Sequence, residues 1–561
     1  MAAVSSPADL SAPAGQPPGL SRGTLVAATL AVCVAQIGLA IPAVLNGLFQ
    51  QDLGPTSAQL TWISAAFLVP ITLLELTFGV LGDLFGRKRL LIIGSLLLAL
   101  GEAVAVLTPG AGTSTDLRVV VLWAGQILAG LGAAAIFPTT LAMVAAGAHT
   151  AHARSRALPI WAAALASGGF LSPVLGGWFA RYGWGGAALG GWRWAFVLVA
   201  VLAVVSTIVT ARWARTSSSP QGRSLDWPGQ VTIAVSLFAL LFAVIQGPTS
   251  GWGSTPVIVG FVVFAVFFAL FVAVELRAEK PLLRLDLFTN RAFAVSSAIT
   301  VLSMFSLLGV GYATSIRLAA IQGFTPLKTS IAFVLLNVMA LLLVPLASRL
   351  LDRTTPRVIL TIGCTLLAAG SFWISSLSAA TISIGPLVVP LLLIGTGFAL
   401  ALNGVTSVAV NSVPPRLAGM ASGTTSLLRD FGFTLGPAVI GAVALSRAAS
   451  EISAKVSGDP KLSTALEHFT ASAQSAPPAQ RGAAQAAVDA VQSGPLGANA
   501  VPSSILLPNG QTAPLNPLKD VAFAALDHGY STGYLVTGLA ALVAALLAAF
   551  VLRTAKTEVV P

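Results

Sequence analysis

The chain has 561 residues, 56% of them hydrophobic and only 9% charged, with a formal net charge of +11 and a mean hydropathy of +0.88. A soluble domain carries about 25% charged residues, so these side chains are too few to cover the water-facing surface of so long a chain, and the apolar excess must face lipid. The basic balance does not point to nucleic acid, because the cations sit in short segments between apolar runs.

In chain order, residues 1–23 are rich in Ser, Pro, Gly and Ala. They lack the layout of a cleaved signal peptide and are expected to form a disordered cytoplasmic tail. Apolar runs follow at 24–49, 58–82, 89–108, 118–146, 156–180, 191–213 and 227–246. Further runs lie at 255–276, 292–320, 328–350, 357–380, 386–412, 418–446 and 526–553. Each is long enough to cross hydrocarbon as a helix. Helices satisfy their backbone groups internally, as lipid demands, and the runs lack the alternation of membrane-barrel strands. The expectation is an all-α membrane protein with about fourteen spans.

Residues 447–525 interrupt the series and are mostly polar. They are read as an extracytoplasmic loop, a flexible spacer rather than a lid. A helix is expected near 479–491 and a hairpin about Pro508-Asn509-Gly510. Residues 554–561 form a second tail. Lys and Arg concentrate in alternate connections, which places both termini in the cytoplasm, and the Ala- and Gly-heavy composition is compatible with a bacterial inner membrane. Trp178, Trp184, Trp192, Trp194, Trp213 and Trp227 flank spans, as interfacial tryptophans do. Cys33 and Cys364 lie inside apolar runs, and His149, His152, His468 and His528 lack metal-ligand spacing, so neither a disulfide nor a metal is expected. No G-x-S-x-G, H-E-x-x-H or P-loop pattern stands out, which argues against an enzyme and against a cofactor.

The sharpest motif runs Gly79-Val80-Leu81-Gly82-Asp83-Leu84-Phe85-Gly86-Arg87-Lys88-Arg89. Gly79 and Gly82 allow close helix approach, and Gly86 allows an unusual backbone angle. Asp83 can pair with Arg87 or Lys88, or cap a helix N-terminus. A second motif is Gly168-Gly169-Phe170-Leu171-Ser172-Pro173-Val174-Leu175-Gly176-Gly177. There Pro173 interrupts helical bonding, and Gly168, Ser172 and Gly176 make a small-residue face. Trp192-Arg193-Trp194-Ala195-Phe196 and Glu275-Leu276-Arg277 with Pro281 and Leu287-Phe288 follow.

Together these stretches resemble the major facilitator superfamily, in its fourteen-span drug:proton antiporter branch. The resemblance covers nearly the whole chain except the first tail and the long loop. It implies two six-helix bundles, 24–213 and 292–446 with 526–553, and an extra helix pair at 227–276. Ser348, Asp352 and Arg353 with Arg357 would be the degenerate repeat of the Asp83 turn. By the same resemblance Gly79, Asp83, Gly86, Arg87, Lys88, Gly168, Pro173, Gly176 and Gly177 belong to the conformational switch.

The sequence also departs from that branch. The usual Arg after the motif Asp is Leu84, the usual Asp of the first span is Cys33, and the usual Arg of the fourth is Gln126. Loss of both charges together avoids an uncompensated intramembrane ion. Candidate substrate or coupling residues are therefore Gln36, Glu75, Gln126, Asn403, Arg429 and Asp430. Arg429 and Asp430 project about 100° apart on a helix and need not pair. Glu102 and Arg317 are expected to reach an interface by snorkelling. Asn337, Asn403 and Asn411 could line a polar path or act as interhelical glue.

The leading expectation is a monomeric secondary exporter of amphipathic or lipophilic small molecules, with membrane lipids and protons as further partners. The alternative is a transporter of lipids or an endogenous metabolite, possibly a uniporter.

Overall fold

The computed structural model describes residues 20–110, 112–148, 151–182, 191–218, 225–279, 281–413, 418–475, 478–506 and 512–552. The two tails therefore lie outside the described residues except for 20–23, as do Trp184, His149 and the Pro508–Gly510 turn. The side chains of His152, Ser348, Asp352 and Arg353 are likewise not described.

The first span is broken in two: α1 (Arg22–Ala40) and α2 (Pro42–Leu53) meet at Ile41. Pro42 has no N–H for the helical ladder, but its fixed φ suits the first position of a new helix. Next come α3 (Ser57–Phe85), α4 (Arg87–Val106), α5 (Thr115–Gly147), α6 (Ala151–Tyr182) and α7 (Arg193–Trp213). The pair α8 (Trp227–Ser250) and α9 (Thr255–Glu275) follows. The last six spans are α10 (Arg291–Ser315, prolonged by a π-helical turn Ile316–Ile321), α11 (Pro326–Arg353), α12 (Pro356–Ser375), α13 (Val388–Asn411), α14 (Ala418–Gly458) and the final helix, numbered α18 below. Polar side chains start several of them. The Thr56 hydroxyl accepts from Gln59 N while the Gln59 side chain accepts from Thr56 N, a capping box. Asp226 and Asn290 cap α8 and α10.

Among the described residues, fourteen helices are long and apolar enough to cross a membrane. The molecule is an α-helical membrane protein. Glycines repeat between its halves. In α4 and α5, a Cβ on Gly94 would stand 2.9 Å from Gly132 O, and one on Gly132 2.5 Å from Gly94 O. Gly363 and Gly397 repeat this reciprocal contact between α12 and α13, at 2.8 and 2.4 Å. The third and fourth spans of each half thus cross backbone to backbone, which only residues without a side chain permit.

The halves meet where the second span of one packs on the fifth of the other: α3 on α14, and α6 on α11. The α8–α9 pair lies outside this seam, with α8 touching both α3 and α14. At the end of the bundle carrying Asp52, α2 packs on the π turn after α10. Gly47 lies against Ala319, the Asn46 amide donates to Ser315 Oγ at 2.9 Å, and the Ser315 hydroxyl donates to the Ala43 carbonyl.

The segment 447–525 is not an extended loop. α14 runs on to Gly458, and α15 (Pro460–Gln474), α16 (Pro478–Gln492) and α17 (Pro495–Ala500) follow before α18 (Lys519–Leu546, prolonged by a π turn Leu547–Val551). The helix expected near 479–491 is α16. Strands β1 (Ser504–Leu506) and β2 (Thr512–Pro514) pair antiparallel on either side of the expected turn. Phe469, Val488, Val491, Ala498 and Leu518 build a separate small core. Its apolar residues are spaced singly among Ala and Ser, so the composition reads polar although one face of each helix is not. α17 seats this cap on α2, α3 and the π turn of α10, with the Asn499 amide donating to Ala320 O at 3.0 Å.

Candidate functional site

The densest buried charge cluster lies on the α3–α14 seam. The Arg429 guanidinium grips Asp430 through Nε to Oδ1 at 2.8 Å and Nη2 to Oδ2 at 3.0 Å. It also reaches Glu75, with Nη2 3.6 Å from Oε1. Helix geometry left that pairing open, and the long Arg side chain folds back far enough to offer its fork to the next carboxylate. Two carboxylates thus share one cation. The Glu75 Oε2 atom is buried without a hydrogen bond. Thr72 ties the same level together, donating to Asp430 O at 3.0 Å and lying 2.6 Å from the Thr434 hydroxyl.

On the other seam, α6 carries glycines on two faces. A Cβ on Gly168 would stand 2.5 Å from Cys33 O, and one on Gly176 3.3 Å from Ile41 Cγ1, so this face meets the first span. Ser172 between them donates to Ile37 O at 2.8 Å, and Pro173 beside it is buried. Gly169 and Gly177 face α11 instead. A Cβ on Gly169 would stand 3.1 Å from Asn337 Oδ1 and 3.8 Å from Gln36 Nε2, and one on Gly177 3.0 Å from Leu327 Cα. Gln36 and Asn337 therefore converge on Gly169 from opposite halves. Gly168→Leu is expected to stop assembly, since the clash is with backbone and cannot relax by a rotamer change. Size-exclusion profiles of detergent-extracted protein check this.

The Asp83 turn closes locally. Arg87 donates to Asp83 Oδ1 from Nε at 3.0 Å and Nη2 at 2.7 Å, and both side chains are buried. Gly86 has φ +100°, the left-handed region that favours glycine. Arg87 N donates to Ser217 O at 2.9 Å and Lys88 Nζ to Ala211 O at 2.8 Å, so the turn is tied to the end of α7. Gly82 faces Leu90 and Thr139, and Gly79 faces Pro138.

The other polar candidates are scattered. Asn403 donates to Ala399 O in its own helix at 2.7 Å, and Asn411 is exposed near Ser407. Gln126 is buried beside Glu102. Glu102 and Arg317 do not snorkel: they are 0% and 4% exposed. Glu102 is trapped because Gly101 draws α4 against the α5 backbone at Ala129.

A clasp at the opposite end of the bundle from the Asp83 turn was not foreseen. Asp52 receives Arg118 Nη2 at 2.8 Å, Trp192 Nε1 at 2.7 Å and Arg193 Nη1 at 3.3 Å. Trp192 is 1% exposed, which corrects its interfacial reading, whereas Trp178, Trp213 and Trp227 are exposed. A lone Asp at the end of a first apolar run, with Arg at the starts of two later ones, was the available signal. Among the described residues no group of three or more His, Cys, Asp or Glu side chains could hold a metal ion.

The Major Facilitator Superfamily profile matches residues 27–437. The chain is 32% identical over 387 residues to the Multidrug resistance protein Stp of Mycobacterium tuberculosis (strain CDC 1551 / Oshkosh), covering 68% of each chain. It is 28% identical over 548 residues to the Tetracenomycin C resistance and export protein of Streptomyces glaucescens, covering 96% of this chain and 93% of that one. In fold it resembles a bacterial homologue of the human lysosomal transporter Spinster, solved inward-facing and unoccupied. The TM-score is 0.61 at 16% identity, over 96% of this chain and 98% of that one.

Proposed function

Because the chain belongs to the Major Facilitator Superfamily, and so is a membrane transporter of small molecules rather than an enzyme, we propose that it exports amphipathic or lipophilic compounds by alternating access, driven by proton exchange. The observation that carries the coupling is the pair of carboxylates, Glu75 and Asp430, sharing the single Arg429 guanidinium on the seam between the halves. With both acids ionised the cluster holds one surplus negative charge, which is costly away from water. One proton removes that surplus, and one cationic or polar substrate group near the seam would compete with it. The names of two relatives, a multidrug resistance protein and a tetracenomycin C resistance and export protein, support outward movement of small molecules.

In this reading the units are 24–213, 227–276 and 292–446 with 526–553, and the membrane is the bacterial inner membrane with both termini cytoplasmic. The Asp83 turn, with Gly79, Gly82 and Gly86, then lies inside and acts with Lys88 and the α6 glycines as the switch, while the 447–525 cap lies outside. Gln36 and Asn337, meeting at Gly169, would face the substrate path. The protein acts as a monomer among membrane lipids. Cys33 and Gln126, in place of the branch's usual charges, favour a second reading: a lipid or endogenous-metabolite carrier working without proton coupling.

Ethidium-loaded proteoliposomes separate the two. Glu75→Gln and Asp430→Asn are expected to lose export driven by an imposed pH gradient while keeping ethidium exchange across the membrane. If both variants keep gradient-driven export, the coupling assignment is wrong.

A further inference from the structure

We propose that Glu102, Gln126 and the break in the first span form a second proton-carrying site, inside the first bundle and separate from the α3–α14 cluster. Glu102 is fully buried, and neither carboxyl oxygen makes a hydrogen bond. The Gln126 amide lies beside it, and neither its oxygen nor its nitrogen finds another partner. Two buried polar side chains with only each other to turn to are rare in a packed interior.

The charged groups on the surrounding helices stand elsewhere. α1 brings Arg22 and the thiol of Cys33, and α3 brings Glu75 and Asp83, which are held by Arg429 and Arg87. Arg87, Lys88 and Arg89 begin α4 itself. On α5 and α7, Asp116, Arg118, Arg193 and Arg212 lie toward the ends, and Arg118 and Arg193 are engaged by Asp52. Arg193 is about 9 Å of helical rise from Val199, which packs against Gly38 beside Glu102.

An ionised carboxylate there would be an uncompensated charge in an apolar interior. The sealed bundle therefore accommodates the acid form. Gln126 can serve either form, accepting from the acid O–H through its carbonyl or donating N–H to the carboxylate.

The third component is Gly38. A Cβ on it would stand 3.0 Å from Glu102 Oε1, so the carboxyl rests against the α1 backbone just before the break. Pro42, four residues on, offers no N–H to the Gly38 carbonyl. Beyond the break, α2 carries Asn46 and Gly47, whose contacts with the end of α10 close the Asp52 end. Loss of the Glu102 proton to water, as the bundle opens, places a negative charge at the hinge of the arm that does the closing. Its return restores the neutral, sealed packing.

This site rests on the reading of the chain as an alternating-access transporter, but its test needs no substrate. Infrared difference spectra of the full chain in lipid nanodiscs, between mildly acidic and alkaline pH, are expected to contain a carboxylic-acid C=O band that Glu102→Gln removes. Gln126→Leu should shift that band, and Glu75→Gln and Asp430→Asn should leave it in place. Spin labels at the exposed positions Leu117 and Ile382, in a Cys33→Ser, Cys364→Ser background, should report a pH-dependent separation of the halves that Glu102→Gln abolishes. A Glu102→Gln spectrum superimposable on the parent's overturns the proposal, because a purely structural acid does not titrate. If that variant fails to assemble, an unshifted band in Gln126→Leu overturns it instead. Loss of coupling in the seam variants with this band intact separates the two assignments.

Discussion

Arg429→Leu is expected to abolish gradient-driven export. Removing the guanidinium leaves Glu75 and Asp430 facing each other on the α3–α14 seam without a cation. Leaving a buried charge uncompensated costs about 3–5 kcal/mol, so both acids hold their protons and the cluster no longer changes charge during the cycle. The triple variant Glu75→Gln, Arg429→Leu, Asp430→Asn removes the imbalance. It should recover membrane abundance without recovering coupling. Membrane yield and ethidium export, measured side by side, distinguish lost packing from lost coupling. Gradient-driven export by the single variant would end the role assigned to this cluster.

Asp52→Ala is expected to have the largest effect on stability. Its carboxylate joins the ends of α2, α5 and α7, and Arg118 and Arg193 are each about 5% exposed. Without it the two guanidinium groups lose their carboxylate, while contacts such as Pro109 O and, for Arg193, the face of Trp192 remain, and the loss should be about 3 kcal/mol. Trp192, which packs edge-on against Phe49 with ring centroids 5.2 Å apart, loses its acceptor as well. A lowered melting temperature in detergent, only partly restored by Asp52→Asn, is the expected result. An unchanged melting temperature would mean that the clasp is passive.

The spans were legible because hydrophobic length is a one-dimensional signal, and lipid leaves helices as the only economical use of it. The Asp83 turn was legible for a similar reason: its partners are close in sequence, so spacing narrowed them to Arg87, Lys88 or a helix N-terminus, and the fold selects Arg87. What escaped depends on packing across the bundle. Whether Glu102 can reach water is set by how closely Gly101 and Gly125 draw α4 to α5, and Gly125 faces Ala105 across that contact. The reciprocal Gly94–Gly132 and Gly363–Gly397 contacts are a repeat visible only once both halves are folded. The cap escaped because its core is built from few large side chains, each isolated among Ala and Ser.

The helix α14 is continuous from Ala418 to Gly458, about 60 Å at 1.5 Å per residue. That is about twice the thickness of the hydrocarbon layer. Such a rod is a lever with its fulcrum in the membrane. A tilt of about 10° about a point halfway along moves the far end by about 5 Å. The cap is carried on that end, so in the proposed cycle a small rotation of the half that bears Arg429 and Asp430 would be read out as a displacement of the cap outside the bilayer. If the proposed cycle holds, a binder that grips the cap and the tip of α3 together would act as a brake on it without entering the membrane.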